Sequence, residues 1–383
     1  MRRKSLALLT AILSLPPFSE AAEMPPSACE VRSLTTVTPA TAGFGVSRRE
    51  QSLFVLSKPV GRTMQVFIHD RRDRQERCLT CTAVPSGPAV DRNKGSASFL
   101  ADGEHIVLEV EMEAHPFEGL VGKPGDGWFS DLWVTDLRGD RWWNLTHYPH
   151  GAKDRYGVLI PEGSPDGRRL MWSELFADGG RTITGATSWG QWRIRIADLT
   201  FDASGEPHLG VPQTITTPDT TWYETLSWSH DGRFVMFASD AGLTTPLGMD
   251  LWVHDLVTGE NQNLTRTPQS WEEFGDFSPD GKLIAFMSSE CCAYRPTDDR
   301  KTLRSELYLT TRDRAWTRRL THFNDRDHPD AKDGPGGSIV TKLRWSEDGT
   351  RIWFERPFYN LNGRALGSWL MELSFAGACG RQL

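Results

Sequence analysis

One short pattern constrains this chain more than any other feature. Phe277-Ser278-Pro279-Asp280-Gly281 is followed at once by Leu283-Ile284-Ala285-Phe286-Met287. Pro279 presets the second position of a type I turn, Asp280 suits the third, and Gly281 supplies the left-handed residue that closes a hairpin. The apolar run after it is rich in β-formers and too short for a helix, so the stretch reads as strand end, tight turn and buried strand. The pattern recurs. Ser164-Pro165-Asp166-Gly167, Ser229-His230-Asp231-Gly232 and Ser346-Glu347-Asp348-Gly349 each precede such a run, and Leu100-Ala101-Asp102-Gly103 is a weaker copy. Strand-turn-strand units repeated at intervals of roughly 40–70 residues are blades of a propeller.

A second pattern alternates with the first: a short strand ending in Leu-Thr. It stands at Cys78-Leu79-Thr80, Asn144-Leu145-Thr146, Asn263-Leu264-Thr265 and Arg319-Leu320-Thr321, with the variant Thr214-Ile215-Thr216. Between the two patterns lies a further strand, such as Leu132-Trp133-Val134 or Leu251-Trp252-Val253. Each unit therefore supplies four strands. The Ser-Pro-Asp-Gly-Lys-x-Ile-Ala-Phe run, followed by a Leu-Tyr strand and Arg-x-Leu-Thr, resembles the repeat of TolB-type β-propellers, of the PD40 or WD40-like kind. The resemblance covers nearly all of the chain after its N-terminus. It is specific for fold and weak for function, since one fold hosts many activities.

The expected fold is an all-β, six-bladed propeller, with seven blades as the alternative. The first blade is degenerate at its turn, where Val46-Ser47-Arg48-Arg49-Glu50 replaces Ser-Pro-Asp-Gly. Leu34-Thr35 has no blade before it, and the last blade ends without a Leu-Thr strand. Residues 30–37 are thus expected to supply the outer strand of the last blade, closing the ring and removing a free edge.

Residues 1–21 read as a secretory signal peptide, from Met1-Arg2-Arg3-Lys4, a short apolar run and Ser19-Glu20-Ala21. Residues 22–28 read as a linker and 29–383 as the propeller. No stretch is long enough to span a bilayer as a helix. The expected location is periplasmic or secreted. The formal net charge of −7 argues against nucleic acid as a partner.

Six cysteines in an exported chain predict disulfides. Cys29 precedes the closing strand and Cys379 follows the last blade, so a Cys29–Cys379 bond would clasp the ring, with ~5–6 kcal/mol as the upper limit of the chain-entropy model. Cys78–Cys81 and Cys291–Cys292 are left as local pairs. A single Cys-x-x-Cys lacks the further ligands of a zinc site.

Extra length gathers in the loops between second and third strands (112–130, 175–190, 289–304, 356–367) and in the linkers after Leu-Thr (147–156, 217–224, 266–274, 322–342). Both classes emerge on one face, opposite the Asp-Gly turns, and loops carry function. There Trp222-Tyr223-Glu224 and Trp271-Glu272-Glu273 stand in the same register, each Trp nine residues before its turn Asp. Glu224 and Glu273 are expected at the channel entrance, near His115, Glu118, His147, His150, His322, Asp325, Asp327, His328 and Asp330. Such a set suits a divalent metal or a cationic group; the competing expectation is that Trp-x-Glu caps the strand and the rest are solvated loop charges. Ala186-Thr187-Ser188-Trp189-Gly190 is a poor hydrolase elbow.

The resemblance implies a monomeric binding scaffold that holds an envelope protein or peptide, with no cofactor. TolB carries an additional α/β domain before its propeller, and the chain here passes from its N-terminal segment almost directly into blades. The alternative is a glycan-processing lyase or hydrolase using Glu224, Glu273 and His328, with a divalent metal.

Overall fold

The structure, a computed structural model, describes residues 27–39, 43–112, 127–149, 156–177, 190–217, 222–243, 248–292, 294, 302–331 and 334–381. The signal-peptide reading, His115, Glu118, His150 and the Ala186–Trp189 part of the elbow lie outside them.

Each Ser-x-Asp-Gly pattern is a small hydrogen-bonded unit. The first Ser Oγ donates to the turn Asp, at 2.5 Å for Ser164–Asp166 and 2.7 Å for Ser278–Asp280, and accepts the amide five residues on. The Asp in turn accepts the amide two residues on, as at Arg168 and Lys282. Gly167, Gly232, Gly281 and Gly349 have φ of 68–72°, the left-handed region where a Cβ is costly. In the degenerate first blade Ser47 keeps part of the scheme, accepting from Glu50 N at 3.1 Å.

The Leu-Thr pattern is a second unit, on the opposite face. Thr265 Oγ1 accepts the Leu251 amide at 3.0 Å and donates to Asp250 at 3.0 Å. Thr146 does the same with Leu132 and Asp131, and Thr321 with Leu307 and Glu306. In the first blade Gln65 replaces the carboxylate, accepting from Thr80 Oγ1 at 2.6 Å. The hydroxyl thus pins the outer strand to the third strand and satisfies a buried acceptor.

These units delimit six antiparallel sheets in a ring. Blade 1 is Phe44–Val46, Leu53–Val60, Thr63–Asp70 and Gln75–Cys78; blade 2 is Lys94–Phe99, His105–Glu111, Ser130–Asp136 and Trp142–Asn144. Blade 3 is Gly157–Gly163, Arg169–Ala177, Gln191–Phe201 and Gln213–Ile215, with Pro207–Leu209 as an added hairpin strand. Blade 4 is Tyr223–Trp228, Phe234–Ser239, Asp250–Asp255 and Asn261–Asn263; blade 5 is Glu272–Phe277, Leu283–Ser288, Glu306–Thr311 and Thr317–Arg319. Blade 6 is Thr341–Trp345, Arg351–Tyr359 and Ala365–Phe375, completed by Val31–Pro39. The expected loop over 356–367 is largely hairpin: Arg356, Pro357 and Phe358 pair with Trp369, Ser368 and Gly367.

Apolar side chains fill the seams between blades. At the seam of blades 6 and 1, Phe44, Phe54 and Leu56 pack with Trp353 and Leu370, the Phe54 and Trp353 rings edge to face at 5.4 Å. The N-terminal strand pairs Leu34 with Leu373 and Thr36 with Met371. Beyond it, Ala376 N donates to Glu30 O at 2.8 Å, and Cys29 is bonded to the fully buried Cys379 across 350 residues of chain. Cys78–Cys81 and Cys291–Cys292 are also bonded.

Breaking the clasp releases the closing strand from a very long loop. The Cys29→Ser, Cys379→Ser double variant is expected to lose about 2–5 kcal/mol in urea unfolding under oxidising conditions. An unchanged midpoint and slope would show that strand pairing alone holds the ring shut.

Candidate channel-mouth site

The inner strand of every blade runs along the central axis, so a residue's place in that strand sets its depth. Blades 2–6 each carry a register shift there, between Gly95 and Ser98, Leu159 and Glu162, Thr225 and Ser227, Glu273 and Asp276, and Thr341 and Leu343. Such bulges re-aim side chains. Ser96, Ile160, Phe274 and Lys342 take positive φ, from 28 to 50°. Two residues later stand Ser98, Glu162, Asp276 and Arg344, with Ser227 as the blade 4 equivalent. Each is two before the first residue of its turn.

This second tier forms a polar cluster near the Asp-Gly face. Glu162 accepts from Ser98 Oγ at 2.8 Å and is ion-paired with Arg344. Asp276 accepts the Trp345 amide at 2.9 Å. Burial pushes the Asp276 carboxyl up to about 6, against the pull of the nearby Arg344 guanidinium and that amide. Above this tier, the turns supply a rim. Arg48 pairs with Glu347 at 3.1 Å, and His230 Nδ1 lies 3.5 Å from the other Glu347 oxygen. Rim and tier together line a narrow recess at the channel mouth to which all six blades contribute. Rim side chains are 29–44% exposed, whereas Glu162 and Asp276 are buried.

The residues singled out on the opposite face have other surroundings. Trp222, Tyr223, Glu224, Trp271, Glu272 and Glu273 are all buried. Trp222 packs edge to face on Trp192 at 5.3 Å, and the Tyr223 hydroxyl is bonded to Thr217. Glu273 accepts from Trp271 Nε1 at 2.9 Å, a bond between the two side chains of Trp-x-Glu. Glu272 is bonded to Thr267 and Ser288, and burial pushes its carboxyl up to about 8. Glu224 and Glu273 do occupy equivalent inner-strand positions, paired with Ala238 and Met287.

His322 and His328 are brought together on the linker from blade 5 to blade 6, their rings stacked at 4.5 Å. His322 Nδ1 meets Asp325 at 2.8 Å and His328 Nδ1 meets Asp330 at 3.4 Å, while Asp327 and His147 are exposed. Among the described residues, the one group of three potential metal ligands is Cys291, Cys292 and Glu306. It does not suit a divalent ion: the sulfurs are bonded to each other, and Glu306 is already held by Thr321, Arg319 and Asn324.

None of these mouth residues is among the candidates named from the sequence. Its signal is nevertheless in the repeat: an ionisable residue two before the turn at Glu162, Asp276 and Arg344, and one inside the turn at Arg48, His230 and Glu347.

No family model matches the chain. Over 220 residues, 53% of its length, the chain is 24% identical to dipeptidyl-peptidase 5 of Porphyromonas gingivalis, and the match spans only 29% of that relative. Among solved structures it is similar to a putative TolB from Agrobacterium tumefaciens, with a TM-score of 0.50 and 16% identity, covering 75% of this chain and 87% of that one. It also aligns with an oligogalacturonate lyase in complex with manganese, at a TM-score of 0.48 and 11% identity, covering 92% and 96% of the two chains. The propeller arrangement is thus shared with TolB structures. Among the described residues no helix is long and apolar enough to cross a membrane.

Asp276 yields a signed pH effect. Its folded pKa lies above the ordinary 3.8, so the folded chain holds the extra proton between about pH 4 and 6. The stability it contributes is full below pH 4 and lost as pH rises through 6. Asp276→Asn is therefore expected to gain up to about 3 kcal/mol over the wild type between pH 4 and pH 8. Thermal melts across that range check it; a pH-independent difference would count against a buried, protonating Asp276.

Proposed function

We propose that this chain is an exported β-propeller that serves as a binding scaffold in the cell envelope, holding a polar segment of a partner protein in the channel mouth. One observation carries the reading: polar side chains from blades 1, 4 and 6 meet at a solvent-facing rim, above a buried, hydrogen-bonded tier. The rim charges are paired with one another and still reach water. A partner's polar groups can exchange with those pairs at little cost, because exposed ion pairs are worth about 0–1 kcal/mol. The buried tier beneath cannot rearrange so cheaply, which gives the mouth a fixed shape. Export is supported by the basic and apolar N-terminal pattern and by the paired cysteines.

The test places a photo-crosslinking amino acid at His230 in cells, with the same residue at the exposed Val257 as control. A discrete envelope-protein adduct is expected from His230 alone, and Arg48→Glu is expected to abolish it while changing stability by less than about 1 kcal/mol. An adduct indifferent to Arg48→Glu, or no adduct at all, would overturn the mouth as a docking site.

A further inference from the structure

Three disulfides hold this chain, and they are built differently. Cys29–Cys379 is fully buried and joins the two ends of the ring across 350 residues. Cys78–Cys81 brackets Thr80, whose hydroxyl pins the outer strand of blade 1 to Val66 and Gln65. Its Cα atoms lie 5.6 Å apart, within the ordinary span of a disulfide. Cys291–Cys292 joins neighbours in sequence. It sits on the short helical turn Glu290–Cys292 after the second strand of blade 5, and both residues are only half-buried.

Adjacency decides how this bond responds to a thiol. Neighbouring Cα atoms are 3.8 Å apart by covalent geometry, below the roughly 4.4 Å where ordinary disulfides begin, and a bond closed outside that span is more easily reduced. A link between adjacent residues also restricts the unfolded chain least, since the loop it closes is the smallest possible. Coupling is reciprocal, so a bond that adds little to folding is in turn protected little by the fold. The backbone around it is fixed by other means. Trp271 N donates to Ser289 Oγ at 2.8 Å, Ser289 N to Trp271 O at 3.1 Å, and Cys292 N to Ser289 O at 2.9 Å. The turn therefore keeps its anchor on the inner strand when the sulfurs part.

We propose that Cys291–Cys292 is a thiol–disulfide exchange site, the one of the three bonds that a small thiol opens with the propeller intact. The thiolate of the incoming thiol forms a bond to one sulfur of the pair as the Cys291–Cys292 bond breaks, and the other sulfur leaves as a thiolate and takes a proton from solvent. A second thiol attacks the mixed disulfide, and the reagent departs as its own disulfide. The pair gains two electrons and two protons, supplied overall by the two thiols. Charge selects among thiols. Glu290 is adjacent and exposed, and a Glu306 oxygen lies within 4.8 Å of both sulfurs, offset in part by Arg319 at 3.0 Å. Anionic thiols are repelled, so uncharged thiols and dithiols are the class this site takes. The pair lies on the face opposite the channel mouth, so it stands or falls independently of partner binding there.

The experiment equilibrates the purified full chain, without denaturant, in graded ratios of reduced to oxidised dithiothreitol, traps thiols with N-ethylmaleimide and maps them by mass spectrometry. Cys291 and Cys292 are expected to be trapped together at a ratio at least about tenfold lower than any that opens Cys29–Cys379 or Cys78–Cys81, about 30 mV for a two-electron couple, with the melting transition unchanged. The opened pair should bind phenylarsine oxide, which bridges two neighbouring thiols, and Cys291→Ser should abolish that binding. Mercaptoethanol should open the pair several-fold faster than the anionic mercaptoethanesulfonate, a gap that salt narrows. Earlier opening of either other bond, opening only together with melting, or trapping of both cysteines before any reductant is added overturns the proposal, and equal rates with the two monothiols overturn the selection by charge. Should Cys291→Ser not fold, the wild-type map decides alone.

Discussion

The structure depends on closing its ring. A blade is a twisted four-stranded sheet with two apolar faces, and each face is buried only by the next blade. Five seams follow from chain order, but the seam between blades 6 and 1 requires residues from both ends of the sequence. Val31–Pro39 supplies them by pairing with Ala365–Phe375, while Phe44 and Phe54 of blade 1 meet Trp353 and Leu370 of blade 6. Without that strand, blade 6 would present an open edge and the seam would lose its outer support. The Cys29–Cys379 bond lies just outside the pairing, where it limits fraying of the closing strand.

Closure also explains why polar chemistry gathers on the axis. Six inner strands converge there, and their side chains must fill a space that narrows unevenly. In blades 2–6 a bulge interrupts the inner strand, with positive φ at Ser96, Ile160, Phe274 and Lys342. The alternation of side chains along a strand then brings Ser98, Glu162, Asp276 and Arg344 into one tier. Each charge in that tier has a neighbour from another blade, as Glu162 has Arg344 and Ser98, so the tier ties blades 2, 3 and 6 together across the channel. Its cost is the burial that raises the Asp276 pKa.

The fold was legible because both repeat patterns are local. Ser-x-Asp-Gly and Leu-Thr each encode hydrogen bonds mainly among residues near in sequence, and a reader of the chain can count them. The closing strand was legible for the same reason, since an unmatched Leu34-Thr35 and a final blade lacking its Leu-Thr strand are complementary defects. The mouth was not legible in the same way. Glu162 and Arg344 are 182 residues apart, and nothing local to either records the other. What joins them is equal distance from their turns, a coincidence that acquires meaning only when the blades are placed around an axis.

The same reasoning explains the fate of Trp222-Tyr223-Glu224 and Trp271-Glu272-Glu273. Their shared register is a shared position, the start of the inner strand, where the side chains are buried between neighbouring blades. Large aromatic rings there are packing elements: Trp222 fills the seam against Trp192 of blade 3, and Trp271 orients Glu273 through its indole N–H. Long linkers on that face therefore do not make the strand ends beneath them accessible. The short turns on the other face leave their second positions, Arg48, His230 and Glu347, in solvent directly over the channel. In a propeller, depth along the inner strand decides accessibility more than loop length does. Equivalent positions in different blades are where interacting groups should be sought, because the ring converts equal register into proximity.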